Sequence, residues 1–341
     1  MTSTALQAAR ELMGRVSEAE TRPPVTREEI ARYAYAIDDT RPAYIDDVAA
    51  REGAHGGIVA PPLFTGFTSF PPTAIADLRP DGLPVARDDP LQVRLPGMQS
   101  RYTGTDVTLI EPIRPGDALT RRSTITDVEE KRGRSGDMVF VTRETTITKQ
   151  DGRAAMIERT TTATVPQPSS PRGEGGERRL ELEDGAQARP AAPPQWTDSP
   201  CWDDVQAGDQ LPPLPRFVST VQVFLYGLVK TNSHLIHYDR AYAEREGLPE
   251  RVAQGDLLAD MLCQTATRIM GRRGVLRRFR AENRSPGFIG ETIIHHGRVA
   301  RVWREDDDDA GLVELELWSE GSGGRPCVRG AATIALPLRD A

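Results

Sequence analysis

The chain has 341 residues, enough for two domains, and its apolar fraction of 38%, with glycine and proline common but not repetitive, is that of a globular protein. Its 50 acidic and 43 basic residues leave a net charge of −7 with no basic stripe, which argues against nucleic acid as a partner. No run of about 18 apolar residues is found, so no membrane span is expected, and the N-terminus lacks the apolar core of a signal peptide. Cys201, Cys263 and Cys327 are odd in number and far apart. They form neither a disulfide framework nor a metal-ligand pattern, which fits a reducing cytoplasm and a site without metal.

Residues from about 5 to 20 read as a polar helix that Thr21-Arg-Pro-Pro24 ends. Thr26 and Glu29 have capping-box spacing and open a second helix, with Ile30, Ala34 and Ile37 on one face. Pro42 then forces a turn, and Pro61-Pro62 can start a helical turn but cannot lie deep inside a helix. From about 70 to 100 the pattern is loop-like. Runs rich in Val, Ile and Thr at 105–110, 118–126, 138–147 and 155–165 predict an antiparallel sheet broken by Pro115-Gly-Asp117, Gly133-Arg-Ser-Gly136 and Asp151-Gly152.

Residues 166–200 have linker composition. Beyond them the grammar of the first half returns. Val205 to Asp209 reads as the opening of a strand turn. A helix entered at Ser219 runs into Thr231-Asn-Ser-His-Leu-Ile-His-Tyr-Asp239, which holds two of the five histidines. Asp239 is placed to cap the next helix. Gly255 to Met270 is the chain's best long apolar helix, with Leu257, Leu258, Met261, Leu262, Ala266 and Ile269 as its stripe and Cys263 packed within it. Strands are expected at 276–281, 292–303, 312–319 and 328–336, with the acidic run 305–309 as a solvated hairpin turn. His295 and His296 are adjacent in a strand and face opposite ways. The order of elements implies an internal duplication into domains at 1–165 and 201–341.

This grammar resembles the MaoC-like hydratase/dehydratase family, a hotdog-fold group with a motif of the form Asp-x-Asn-Pro-x-His-x-Asp before a glycine turn and a long central helix. In the first half Asp39 and Pro42 fit that frame, and Tyr44 stands in the place of the histidine. In the second half the histidine is present as His237, while Asn232 replaces the aspartate and His234 the asparagine. The second motif is similar to that of mesaconyl-thioester hydratases and type 2 hydroxyacyl-thioester dehydratases.

The resemblance implies an α+β protein of two hotdog domains, each a curved antiparallel sheet around a helix. It implies reversible hydration of an enoyl thioester, carried by CoA or a carrier protein, with no cofactor. His237 and Asn232 are then the catalytic pair. His234, Gln254, Gly255 and Asp256 bind substrate, with backbone amides near Gly255 holding the thioester oxygen. Gln254 stands where the family usually has histidine. Asp39 and Tyr44 would form a degenerate second site, in a half that serves as a tunnel for the acyl chain; a tunnel role for His55 is the weaker reading. The replacement of an acid by Asn232 keeps two other readings open: a cyclase or isomerase on the same site, and a non-catalytic acyl-binding partner. Oligomeric state is open, a homodimer being one option.

Overall fold

The computed structural model describes residues 4–85, 90–91, 98–133, 136–166, 200–304 and 310–339. The linker expected at 166–200, apart from its end residues, and the acidic turn at 305–309 lie outside the described residues.

The first helix, α1 (Thr4–Arg10), is shorter than expected. Gly14 has a φ of 72°, and the chain beyond α1 runs along a sheet edge instead. Gly14 N–H donates to Ile125 O at 3.0 Å and Ser17 N–H to Ser123 O at 2.8 Å. These edge bonds, followed by β1 (Glu20–Thr21), satisfy main-chain groups that a longer helix would have paired internally. The capping box is present. Thr26 Oγ1 accepts from Glu29 N–H at 3.1 Å, Glu29 accepts from Thr26 N–H at 2.7 Å, and α2 (Arg27–Ala36) follows. Two single-turn helices come next, α3 (Pro42–Ile45) and α4 (Asp47–Ala50).

The first-half strands are β2 (Met98–Leu109), β3 (Leu119–Gly133), β4 (Gly136–Lys149) and β5 (Ala154–Pro166). In the second half Val205 to Asp209 makes no strand. Gly208 turns it at a φ of 97°, with Gln206 N–H donating to Asp209 Oδ2 at 2.8 Å. The strand comes later, as β6 (Leu214–Phe217), an edge strand whose Pro215 hides it from pattern reading. Then follow α5 (Thr220–Lys230), α6 (Arg240–Arg245), α7 (Gly255–Met270), β7 (Val275–Asn283), β8 (Thr292–Arg304), β9 (Ala310–Gly321) and β10 (Arg325–Pro337).

The ten strands form one continuous sheet in the order β1-β3-β4-β5-β2-β7-β10-β9-β8-β6. Antiparallel pairing of β2 with β7 joins the halves, with Gly104 opposite Glu282. A Cβ on Gly104 would lie 2.4 Å from Ala281 O, so the junction requires a glycine there.

A constant sequence offset relates the two halves residue by residue. Thr26 and Ser219 are both N-caps. Asp38 and Thr231 have left-handed φ values of 54° and 52° and are the positive-φ non-glycine residues among the described residues. Asp39 N–H donates to Ala34 O at 2.9 Å, and Asn232 N–H to Gly227 O at 2.8 Å. Val59 N–H donates to Ala43 O at 3.0 Å, and Val252 N–H to Ile236 O at 3.1 Å. The same offset places Tyr44 on His237 and Pro61-Pro62 on Gln254-Gly255.

Among the described residues, only the second half has a long central helix. In α7 every residue from Leu257 to Thr267 is buried, so the expected stripe is in fact a helix enclosed on all sides. Two of its buried polar groups, Asp260 and Gln264, are paired by both halves. Asp260 Oδ2 accepts from Tyr33 Oη at 2.8 Å and from the repeat-related Tyr226 Oη at 2.9 Å. Burial pushes the Asp260 carboxyl up to about 7, against those hydroxyl bonds. Gln264 Nε2 donates to Ile37 O at 2.8 Å and its Oε1 accepts from Arg216. Leu257, Leu258, Met261 and Leu262 anchor the core at about 1.5–3 kcal/mol each. No helix among the described residues is long and apolar enough to cross a membrane.

Candidate active site

The histidine loop is fixed by its main chain. Thr231 ends α5 in the left-handed region, unusual for a β-branched residue. Asn232 Oδ1 then accepts the His234 N–H at 3.2 Å, closing an Asx turn. One 3-10 turn over Leu235–His237 delivers His237 into the interior. His237 Nδ1 lies 2.8 Å from Val252 O. A carbonyl only accepts, so Nδ1 carries the proton and neutral His237 keeps its lone pair on Nε2. Burial depresses its pKa below 6.5, with the Val252 bond acting in the opposite direction. The imidazole is therefore a free base at neutral pH.

Val252 leads directly into the start of α7. Gln254 is the N-cap but makes no side-chain capping bond. Its Nε2 instead donates to Val223 O at 3.1 Å, while its Oε1 is buried without a hydrogen-bond partner among the described residues. The N–H groups of Gly255, Asp256 and Leu257 have no acceptor among the described residues. They carry the positive end of the helix dipole. Asp256 Oδ2 lies 3.9 Å from Lys230 Nζ.

Two residues beyond the sequence reading complete this end. Asn283 Nδ2 donates to Gly255 O at 3.3 Å and its Oδ1 is buried without a partner among the described residues. Tyr102 comes from the first half. A Cβ at position 255 would lie 2.4 Å from Asn283 Nδ2 and 2.9 Å from Tyr102 Cδ1, so glycine is required by close packing.

The loop-like segment of the first half also reaches the site. Ser69 N–H donates to Lys230 O at 2.8 Å, Leu235 N–H to Asp81 O at 2.9 Å, and Ser233 Oγ to Gly82 O at 2.6 Å. Asp81 Oδ2 stands 4.0 Å from His234 Nε2. The His234 ring lies edge-on to His237 and Tyr242, with centroids 6.0 and 5.8 Å away. Burial, with His237 adding to it, lowers the His234 pKa to about 4, so His234 is neutral at pH 7. In the sequence the only trace of this brace is the Asp81-Gly82 turn signal.

The first-half counterpart brings Asp39 and Tyr44 together, but Asp39 is paired with Arg41 through bonds of 2.9 and 2.5 Å, and Arg41 also donates to Thr267 O at 2.7 Å. Tyr44 is buried, and burial raises its pKa far above neutrality. Where the second half starts α7, the first makes one turn, with Phe64 N–H donating to Pro61 O at 3.0 Å. Of the remaining histidines, His295 is fully buried and His296 stacks on Trp318 at 5.3 Å, facing opposite ways as expected.

A model of the FAS1-like dehydratase domain region matches residues 11–158, and a model of hydroxyacyl-thioester dehydratase type 2 matches residues 208–288. A UPF0336 protein of Streptomyces griseus is 34% identical over 139 residues, which cover 38% of this chain and 85% of that one. Mesaconyl-C(4)-CoA hydratase of Chloroflexus aurantiacus is 27% identical over 226 residues, 65% of this chain and 69% of that one. In fold, the chain is similar to a solved MaoC-like dehydratase, with a TM-score of 0.70 at 21% identity over 97% of this chain and 99% of that one. The repeat, the continuous sheet around α7 and these matches agree: the chain belongs to the MaoC-like hotdog hydratases and dehydratases, a family of acyl-thioester hydro-lyases.

Proposed function

We propose that the second half catalyses the reversible addition of water to a 2-enoyl thioester at His237. The observation that carries this reading is a buried imidazole whose Nδ1 is held by Val252 O, beside a helix N-terminus with uncapped amides. The thioester oxygen accepts from the Gly255 and Asp256 N–H groups, where negative charge develops as water adds. Water donates one proton towards His237 Nε2 and the other to Gln254 Oε1, a buried acceptor that lacks a donor among the described residues. Its oxygen bonds to C3, the C2–C3 π electrons move onto the thioester as an enolate, and His237 takes the water proton. The imidazolium then returns that proton to C2. One histidine thus serves in turn as base and acid, and the amide of Asn232 costs the cycle no proton acceptor. With Oδ1 closing the Asx turn, Asn232 offers its Nδ2 to substrate. His234, neutral beside Asp81, borders the same site.

The likeness to mesaconyl-C(4)-CoA hydratase favours CoA as the thioester carrier. The first half carries the degenerate site. Incubation with crotonyl-CoA and with a longer enoyl-CoA, following enoyl absorbance and product mass, tests the reading. Loss of absorbance with a gain of one water supports it. A product of unchanged mass would instead favour an isomerase or cyclase, and no turnover an acyl-binding protein.

A further inference from the structure

A cavity of about 260 Å³ opens between the first half and the Met270–Gly271 end of α7. Sixteen helical residues, about 24 Å, separate that end from Gln254. By the offset that relates the halves, this is the counterpart of the His237 site: Tyr44, Pro61 and Pro62 line it where the second half has His237, Gln254 and Gly255. The chemistry has been removed from it. Two prolines offer no N–H to an oxyanion, and a tyrosine replaces the base. Arg41 is consumed by Asp39 and Thr267.

The means of binding remain. Ala43, Val59, Phe64, Met156, Met270 and Leu276 form an apolar wall. Tyr44 is only 4% exposed, and its hydroxyl makes no hydrogen bond among the described residues. The hydroxyl of this cavity-lining residue is free to donate, and a ligand oxygen would accept from it. The rim includes His55, Arg272 and Arg277. Arg272 pairs with Glu52 at 3.2 Å, whereas Arg277 is exposed and has no ion pair among the described residues. Glu111, the acid of the rim, is neutralised by Arg153 at 2.7 Å and Lys149 at 3.6 Å. The field at the mouth therefore favours an anion. The volume lies just under the roughly 300–1,000 Å³ usual for ligand pockets, which suits a short chain.

We propose that this cavity is a second, non-catalytic ligand site for a short aliphatic carboxylate. The chain lies on the apolar wall, and the carboxylate accepts from the Tyr44 hydroxyl in the field of Arg272 and Arg277. The site is independent of the chemistry at His237.

Calorimetric titration of the full chain with octanoate tests this. One octanoate per chain is expected, with equal affinity in His237→Ala. Tyr44→Phe, which removes only the hydroxyl, should weaken binding about tenfold. Ala54→Trp, at the exposed edge of the cavity lining, should weaken it further, with the melting temperature of each variant recording that it is folded. Absence of binding at millimolar octanoate, or wild-type affinity in both folded variants, overturns the proposal. So does displacement of octanoate by decanoyl-CoA, in the wild type and in His237→Ala alike, because the cavity would then be the tail end of the catalytic site.

Discussion

Gly82→Ala isolates the brace that the first half places on the histidine loop. Gly82 has a φ of 85°, and a Cβ there would stand 2.2 Å from Ser233 O, a main-chain atom that cannot step aside alone. The left-handed backbone costs an alanine about 1–2 kcal/mol. Relief of the clash separates the segments and breaks two bonds, Ser233 Oγ to Gly82 O and Leu235 N–H to Asp81 O, worth about 0.5–1.5 kcal/mol each. The sum is about 2–5 kcal/mol, confined to the contact between residues 79–85 and 231–239. At about 1.4 kcal/mol per factor of ten, amide exchange in a peptide covering 231–239 should accelerate about 30-fold or more, and turnover should fall with it. Gly116→Ala is the control. It has a φ of 93° but nothing within 4 Å of the added Cβ, so it carries the backbone cost without the clash. Unchanged exchange and turnover in Gly82→Ala, or equal acceleration in Gly116→Ala, would refute the brace.

His237→Ala should lower kcat by about 10²–10⁴ with little change in KM, read from the loss of enoyl absorbance. Because the base must be unprotonated and burial lowers its pKa, kcat/KM should fall on the acid side with an inflection below 6.5; an inflection at or above 6.5 would contradict the buried geometry. Gly255→Ala, whose Cβ collides with Asn283 and Tyr102, should reduce kcat about tenfold or more while circular dichroism is retained. His295 is fully buried, neither ring nitrogen has a partner among the described residues, and burial lowers its pKa to about 3. The unfolded chain takes up that proton below about 6.5 and the folded chain only near 3. Stability should therefore fall as pH drops through this window, by up to about 1.4 kcal/mol per pH unit, and His295→Leu should flatten that limb in urea titrations.

Local chemistry was legible without coordinates. Thr26 with Glu29, Ser219 and Asp239 are caps because their oxygens lie within a turn of the amides they serve, and that information is entirely in the chain order. Eight strands could be read from β-branched runs, and the histidine loop could be found from its place before α7, while the pairing of Asn232 with His237 came from the family resemblance. Residues 11–19 and β6 could not, because a glycine-turned edge segment and a proline-bearing edge strand acquire their pairing from a neighbour distant in sequence.

What only the tertiary structure decided is which atoms face each other. Which His237 nitrogen is free follows from the Val252 carbonyl, fifteen residues away. That Arg41 is held by Thr267 as well as by its neighbour Asp39, that Tyr102 and Asn283 close around Gly255, and that Asp81-Gly82 of the first half braces the loop of the second are decided by long-range contacts. The sequence by itself determined a duplicated fold and the one copy that keeps a histidine. Its folding around a single enclosed helix determined the environment of that histidine, because burial, tautomer and the approach of a distant loop are properties of the packed core and of no local stretch.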